Sequence, residues 1–330
     1  MQLLLAGDVG GTKTLLGLYS DEGGVPRAHD VKRFTTLDFD ELDQLVAHFL
    51  STTQHSGPIA AACFSVAGPV RGHVVQLTNV PWLVDARQVA DRLEIGHVRL
   101  LNDLAAMAHA VTALTGDQLA VIRSGEPEPT GNAALIAPGT GLGETLLHSI
   151  GGRFVPAPSE GGHADFAPRT EREIALLRDM TARGGRLSYE QVLSGPGLVN
   201  LHRFVHAGTM CPAVPALTPE RDRPALISQA GLDRSCTHCA EALELFVSAL
   251  GAEAGNLGLR SVATAGVYIG GGIPAKILPA LQTPTFLNAF LAKSPMHALV
   301  EAMPVAVILE PNAALFGAAL AANELAAGSG

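Results

Sequence analysis

No stretch of this chain is strongly basic: 22 Lys and Arg stand against 31 Asp and Glu, a formal charge of −9. Without a clustered positive face there is nothing to condense on a nucleic-acid backbone, so no nucleic acid is expected as a partner. Long apolar runs are missing as well. None reaches the roughly 18–20 residues that span a bilayer, so no membrane is expected either. The opening MQLLLAGDVGG is apolar but lacks a basic flank and an extended apolar stretch; it reads as a first β-strand rather than a secretion signal. Cysteine is sparse, with only Cys63, Cys211, Cys236 and Cys239 in 330 residues. That is too few for a disulfide scaffold and fits a reducing cytoplasm.

What is present is 47% hydrophobic and only 16% charged, ample for packed cores. The length predicts two domains. An acidic chain that binds an anion needs a local device for it: backbone amides, helix N-termini or a metal ion. The chain begins strand (2–8), glycines, strand (TLLGLYS), strand (28–36), helix (39–50), strand (57–66), strand (72–78). A helix in DARQVADRL, a strand in HVRLLND and a helix over 104–114 follow. A similar order restarts with NAALIAP (132–138), GTGLG, ETLLHSI, GRFVPAP and a helix over 170–181. Residues 124–131 read as a surface loop near the domain boundary. Later come a long helix around 236–263, GVYIGGGIPAKIL, a strand over 305–310 and an apolar helix over 312–323. Two halves that each open strand, glycine turn, strand repeat one pattern, and a cleft between them would suit a ligand.

GDVGGTKT (7–14) nearly matches a P-loop, but Thr12 stands where the loop needs glycine before its lysine. The residues after it read as a strand, not a helix, so the turn is a hairpin. Gly10 and Gly11 are expected at positive φ with their amides toward phosphate; Thr12 adds a hydroxyl and Lys13 a cation. Asp8 would repel phosphate unless it holds Mg²⁺ or its waters. An ordinary hairpin explains the same residues. PGTGLGET (138–145) is a second such turn, with Gly139, Thr140 and Gly141. Two of them at matching places in two halves would grip a polyphosphate from both sides. In GGGIP (270–274), Gly271 and Gly272 would let a nucleoside approach the backbone. LNDL (101–104) places Asn102 and Asp103 at a strand end before a helix. The residues alone favour a helix cap, and a carboxylate that takes a hydroxyl proton during phosphoryl transfer is the other reading.

Taken with LTNVPW (77–82), EGGHADFAP (160–168), LSGPGLVNL (193–201) and SCTHC (235–239), these motifs resemble the proteobacterial-type glucokinases of the actin–hexokinase superfamily, and the resemblance spans nearly the whole chain. The related repressor–kinase family also uses a GGTK turn, but its cysteine-rich zinc cluster after E-x-G-H is absent here. No basic recognition helix precedes the first strand. The resemblance implies an α/β chain of two ribonuclease H-like domains, 1–112 plus 305–330 and 113–304, with the active site in the cleft between them. It implies a cytoplasmic homodimer that transfers the γ-phosphate of ATP to the 6-hydroxyl of glucose with Mg²⁺. Asp103 becomes the base, and Asn79, Asn102, Glu160, His163 and Glu190 contact the sugar. Asp8 binds Mg²⁺ through water. Gly10, Gly11, Thr12, Lys13, Gly139, Thr140, Gly141, Gly271 and Gly272 hold ATP, although the family more often has Asn at the position of Lys13. Another hexose or an amino sugar, or a regulator without turnover, are the alternatives.

Cys236 and Cys239 have ligand-like C-x-x-C spacing, but no second pair accompanies them and Cys63 and Cys211 stand alone, so packing is the expectation. His202 and His206, one helical turn apart, are expected to be surface or helix-stabilising residues. Trp82, the only tryptophan, belongs to a pocket wall or to the core.

Overall fold

The computed structural model describes residues 2–54, 57–78 and 80–328. It divides into two units, Met1–Thr115 with Asn312–Gly330, and Gly116–Pro311. In chain order the first carries β1 (Leu3–Val9), β2 (Lys13–Glu22), β3 (Val25–Thr35), β4 (Ile59–Val66), β5 (Val74–Gln76), β6 (Leu83–Asp85) and β7 (Val98–Asn102). Its main sheet runs β3-β2-β1-β4-β7. The pair β1–β2 and the pair β2–β3 are antiparallel, while β1–β4 and β4–β7 are parallel.

The alternation along β1 and β2 explains why this sheet is buried on both faces. Leu5, Val9, Leu16 and Leu18 enter one core with Leu45, Phe49 and Phe64. Leu4, Ala6, Leu15 and Tyr19 enter the other, beneath Ala318, Ala319, Ala321 and Ala322. Successive side chains on a strand point to opposite faces, so near-continuous apolar runs are what a doubly covered sheet requires. The covering helix, Ala313–Ala326, is half alanine and lies close to the sheet for that reason. Phe49 and Phe64 are fully buried, and truncating either to alanine would cost roughly 3–5 kcal/mol. Trp82 is 4% exposed and belongs to the same core, not to a wall.

The second unit carries β8 (Leu119–Arg123), β9 (Ala133–Pro138), β10 (Leu142–Ile150), β11 (Arg153–Pro156), β12 (Gly266–Ile269) and β13 (Val305–Ile308). The order is β11-β10-β9-β12-β13-β8. Again the first strand of the motif has an antiparallel meander on one side and two parallel strands, β12 and β13, on the other. Both units are therefore ribonuclease H-like, the arrangement of actin- and hexokinase-type ATPases, and the repeat seen in the sequence is a repeat of topology. The 25-residue helix Thr237–Ser261 forms the spine of this unit's core.

Two expectations need correcting. The chain does not leave the second unit at residue 305: β13 pairs with β12 and β8, and the crossing comes at Asn312. Residues 72–78 give only the short β5, paired with β6, which the pattern did not predict. Among the described residues no helix is long and apolar enough to cross a membrane.

Candidate active site

In the first unit, the turn between β1 and β2 is closed by the Gly10 N–H donating to the Lys13 carbonyl at 3.0 Å. The Thr36 hydroxyl donates to the Gly10 carbonyl at 2.8 Å and ties the turn to the end of β3. Neither Gly10 nor Gly11 takes positive φ, contrary to expectation. Glycine is required at position 10 by space: a Cβ there would sit 2.9 Å from the Lys13 carbonyl oxygen. Thr12 and Lys13 are exposed.

Asp8 lies near the end of β1, beside Ser65 of β4 in parallel register. The Ser65 hydroxyl donates to Asp8 Oδ1 at 2.9 Å. Burial raises the Asp8 pKa above the ordinary carboxylate value. The Ser65 bond opposes that, the charge of Asp103 adds to it and Lys13 relieves it. The structure thus brings Asp8, Lys13 and Asp103 into one electrostatic group. Ser65 was not anticipated; its signal was a lone hydroxyl at the end of an otherwise apolar strand.

β7 ends at Asn102, and the helix Asp103–Ala110 starts at the next residue. Asn102 is the N-cap: its Oδ1 accepts from the Leu104 N–H at 3.0 Å, and its Nδ2 donates to the Gly68 carbonyl at 3.3 Å. The cap reading of this motif therefore holds for Asn102, whose side chain also hydrogen-bonds the Asp103 carboxylate. Asp103 Oδ1 accepts from the same Leu104 N–H at 2.8 Å. Its side chain reaches solvent, yet the surrounding protein desolvates the carboxylate. Desolvation lifts its pKa above the ordinary value, against the Leu104 and Asn102 hydrogen bonds. Asn79 lies outside the described residues; its neighbours Leu77 and Val80 are core.

In the second unit, the turn between β9 and β10 repeats the first. Gly139 N–H donates to the Gly141 carbonyl at 2.8 Å, and Gly195 N–H donates to the Gly139 carbonyl at 2.8 Å. A Cβ at Gly141 would meet Glu190 Oε2 at 2.5 Å, so a side chain there would push that carboxylate aside. That carboxylate oxygen accepts from the Leu142 N–H at 2.9 Å. The glycine-rich turn after β12 lies alongside. Gly270 N–H donates to the Ile136 carbonyl at 2.8 Å, Gly271 has φ +88°, and the Gly272 nitrogen is 4.0 Å from where a Gly139 Cβ would stand. Because β9 and β12 are parallel, the turns bearing Gly139, Thr140, Gly141, Gly271 and Gly272 leave the sheet at one end.

Glu190 also joins this turn to EGGH. His163 Nδ1 is 3.8 Å from Glu190 Oε1, and His163 Nε2 is 4.0 Å from Glu160 Oε2. An imidazole between two carboxylates, with both neighbours open to solvent, offers donors and acceptors to adjacent hydroxyl groups. The structure brings Glu160 and Glu190, which the resemblance assigns to the sugar along with His163, to within 4.0 Å of the shared imidazole. A separate open cavity of about 490 Å³, lined by Arg123, Glu126 and Glu301 among others, contains none of these residues.

A family model of glucokinase matches residues 5–325. The chain belongs to the glucokinase family. It is 38% identical over 343 residues to the glucokinase of Nostoc punctiforme, covering 98% of this chain and all of that one. It is 39% identical over 316 residues to the glucokinase of Mesorhizobium japonicum, covering 96% and 90%. The crystal structure of a glucokinase from an Antarctic psychrotroph matches it with a TM-score of 0.87 at 30% identity, over 98% of this chain and 99% of that one. Membership in the glucokinase family makes the chain an ATP-dependent sugar kinase of the hexokinase type.

One expectation about cysteine fails. Cys211 is not alone: its Sγ lies 3.6 Å from Cys239 Sγ and 3.8 Å from Cys236 Sγ. His206 is 4% exposed rather than a surface residue, and it reaches the same thiols.

Proposed function

We propose that this chain transfers the γ-phosphate of ATP to the 6-hydroxyl of D-glucose, giving ADP and glucose 6-phosphate. The observation that carries the reading is Asp103. Its carboxylate is held at a helix start and accessible to solvent, and its raised pKa makes it a better proton acceptor than an ordinary aspartate. As the sugar oxygen bonds to phosphorus, Asp103 takes the hydroxyl proton, and ADP leaves with the electrons of the broken P–O bond. Asn102, Asn79, Glu160, His163 and Glu190 bind the remaining sugar hydroxyls. The turn Gly10, Gly11, Thr12 and Lys13 and the turn Gly139, Thr140 and Gly141 hold the phosphates, and Gly271 and Gly272 seat the nucleoside.

The residues fit Mg²⁺. Asp8 is a hard oxygen donor in the field of a second carboxylate, with Lys13 as partial relief, and a cation nearby would offset the cost of its burial. Asp8 would hold the ion through water; when bound, the ion neutralises phosphate charge and polarises the transferring group. The same reading takes the protein to be a cytoplasmic homodimer that acts on small molecules, with no nucleic acid or membrane as partner. The test is ADP release with glucose against a panel of hexoses and amino sugars, using several phosphoryl donors. The expected result is the highest kcat/KM for glucose with ATP. A higher value for an amino sugar would transfer the assignment to that sugar.

A further inference from the structure

In the second unit, well apart in sequence from the turns just described, three thiols and an imidazole converge. The helix Gly195–His206 ends at His206, and the chain continues through Cys211. The helix Thr237–Ser261 has Cys236 at its N-cap position and Cys239 in its first turn. Cys211 Sγ is 3.8 Å from Cys236 Sγ and 3.6 Å from Cys239 Sγ. His206 Nε2 is 3.7 Å from Cys236 Sγ and 4.0 Å from Cys239 Sγ. The ligand atoms of His206, Cys211 and Cys239 all lie within 4.8 Å of one another, together with one from His202.

These separations can be compared with the edges of a coordination tetrahedron. With Zn–S near 2.3 Å and Zn–N near 2.0–2.1 Å, sulfur–sulfur edges come to about 3.8 Å and sulfur–nitrogen edges to about 3.6 Å. The four observed distances fall within a few tenths of an ångström of those edges. Covalent disulfides require about 2.05 Å, and all four cysteines are free thiols. A soft S₃N donor set with four of its six edges at tetrahedral lengths selects zinc over hard cations. The surroundings are built for it as well. Cys239 is fully buried, Cys211 is 8% exposed and His206 is 4% exposed. The other ring nitrogen of His206, Nδ1, is 3.4 Å from the Thr209 hydroxyl, the kind of outer contact that orients a ligating imidazole. His202 packs against His206 with centroids 4.1 Å apart and the rings tilted by 38°, and its Nε2 is buried with no hydrogen-bond partner among the described residues.

We propose that Cys211, Cys236, Cys239 and Nε2 of His206 hold one zinc ion. Four protein ligands close the coordination sphere, so the ion is structural and not catalytic. It fastens the end of the helix Gly195–His206 to the start of the helix Thr237–Ser261 and closes the long segment between them. The first of these helices begins at Gly195, whose N–H holds the Gly139 carbonyl. The zinc thus secures the frame on which the second glycine turn rests.

The test is metal content of the full chain, purified under reducing conditions, together with cobalt titration of the same chain after its metal is stripped. About one zinc per chain is expected, falling below a tenth in Cys239→Ser and in His206→Ala, and unchanged in Cys63→Ser. Cobalt should produce an intense sulfur-to-cobalt charge-transfer band and tetrahedral ligand-field bands, which report the site even where a variant fails to fold. Chelation should lower the Tm of the wild-type chain and leave the Tm of Cys239→Ser unchanged. Wild-type protein with neither zinc nor cobalt bands overturns the proposal. So does a disulfide at Cys211 in protein isolated without oxygen, or zinc kept in His206→Ala but lost in His202→Ala.

Discussion

Ser65 donates its hydroxyl to the Asp8 carboxylate at 2.9 Å from the neighbouring parallel strand. The bond fixes the direction of a carboxylate that burial would otherwise leave poorly solvated, and it favours the ionised form. In Ser65→Ala, Asp8 loses that support. A hydrogen bond to a charged group contributes roughly 1.5–3 kcal/mol, so the Mg²⁺ concentration for half-maximal rate should rise by about tenfold or more. The KM for glucose should stay within about twofold. A Mg²⁺ titration at fixed ATP and glucose reads both; an unchanged Mg²⁺ dependence would remove Asp8 from the metal.

Gly141 and Glu190 form a second dependency. A Cβ at 141 would meet Glu190 Oε2 at 2.5 Å and displace the oxygen that accepts from the Leu142 N–H. Gly141→Ala should therefore raise the glucose KM through Glu190, by about tenfold, although Gly141 itself is assigned to phosphate. Glu190→Gln should raise it as well, and the double variant should be less than additive because both act on one contact. Full additivity in steady-state kinetics would separate the turn from the sugar.

The parts of this site that were legible in the sequence are those whose chemistry sits within one short segment. Asp8 with its glycine turn, Asn102 with Asp103, and Glu160 with His163 each fit in eight residues or fewer. The strands β1 and β2 were legible because both their faces are covered, which leaves uninterrupted apolar runs. Ser65 was not legible, since its value depends on strand pairing with Asp8 across an intervening helix. Cys211 and His206 were not legible as partners of the C-x-x-C pair for the same reason: a loop and a helix separate them, and no spacing rule spans that distance. Edge strand β8 and the late crossing at Asn312 depend on pairing with β13, far along the chain. The backbone of Gly10 and Gly11 was misread because a hairpin can close without positive φ when its turn bonds back to Lys13.

Glu144 of β10 is 1% exposed, and neither carboxylate oxygen has a hydrogen-bond partner among the described residues. Burial, reinforced by the charge of Glu253 and partly relieved by Arg260, pushes its pKa up to about 8. The folded chain then keeps a proton that the unfolded chain releases near the ordinary value of 4.5. Stability should accordingly fall as pH rises through the window between those values, and level off above it. Thermal melts across that range should show this decline in the wild type and a flatter profile in Glu144→Gln. Parallel curves for the two proteins would mean that Glu144 is ionised in the folded state.

Asp103 and Asp8 both titrate above the ordinary carboxylate value of 3.8. A base must be ionised to act, so activity should be lost as pH falls through those raised values. Because the two interact, the acid limb of kcat/KM reports the pair. It should lie above pH 3.8, and Ser65→Ala should move it further upward, since the lost hydrogen bond favoured ionised Asp8. A limb unmoved by that substitution would exclude Asp8 from it.

The most direct measurement is the turnover of Asp103→Ala, read as ADP release with saturating glucose and ATP, beside calorimetric binding of glucose to the same variant. A proton-transfer residue of this kind contributes roughly 10²–10⁴-fold to rate. The account predicts a fall in kcat of that size with glucose binding retained. Turnover within a few-fold of the wild type would contradict it.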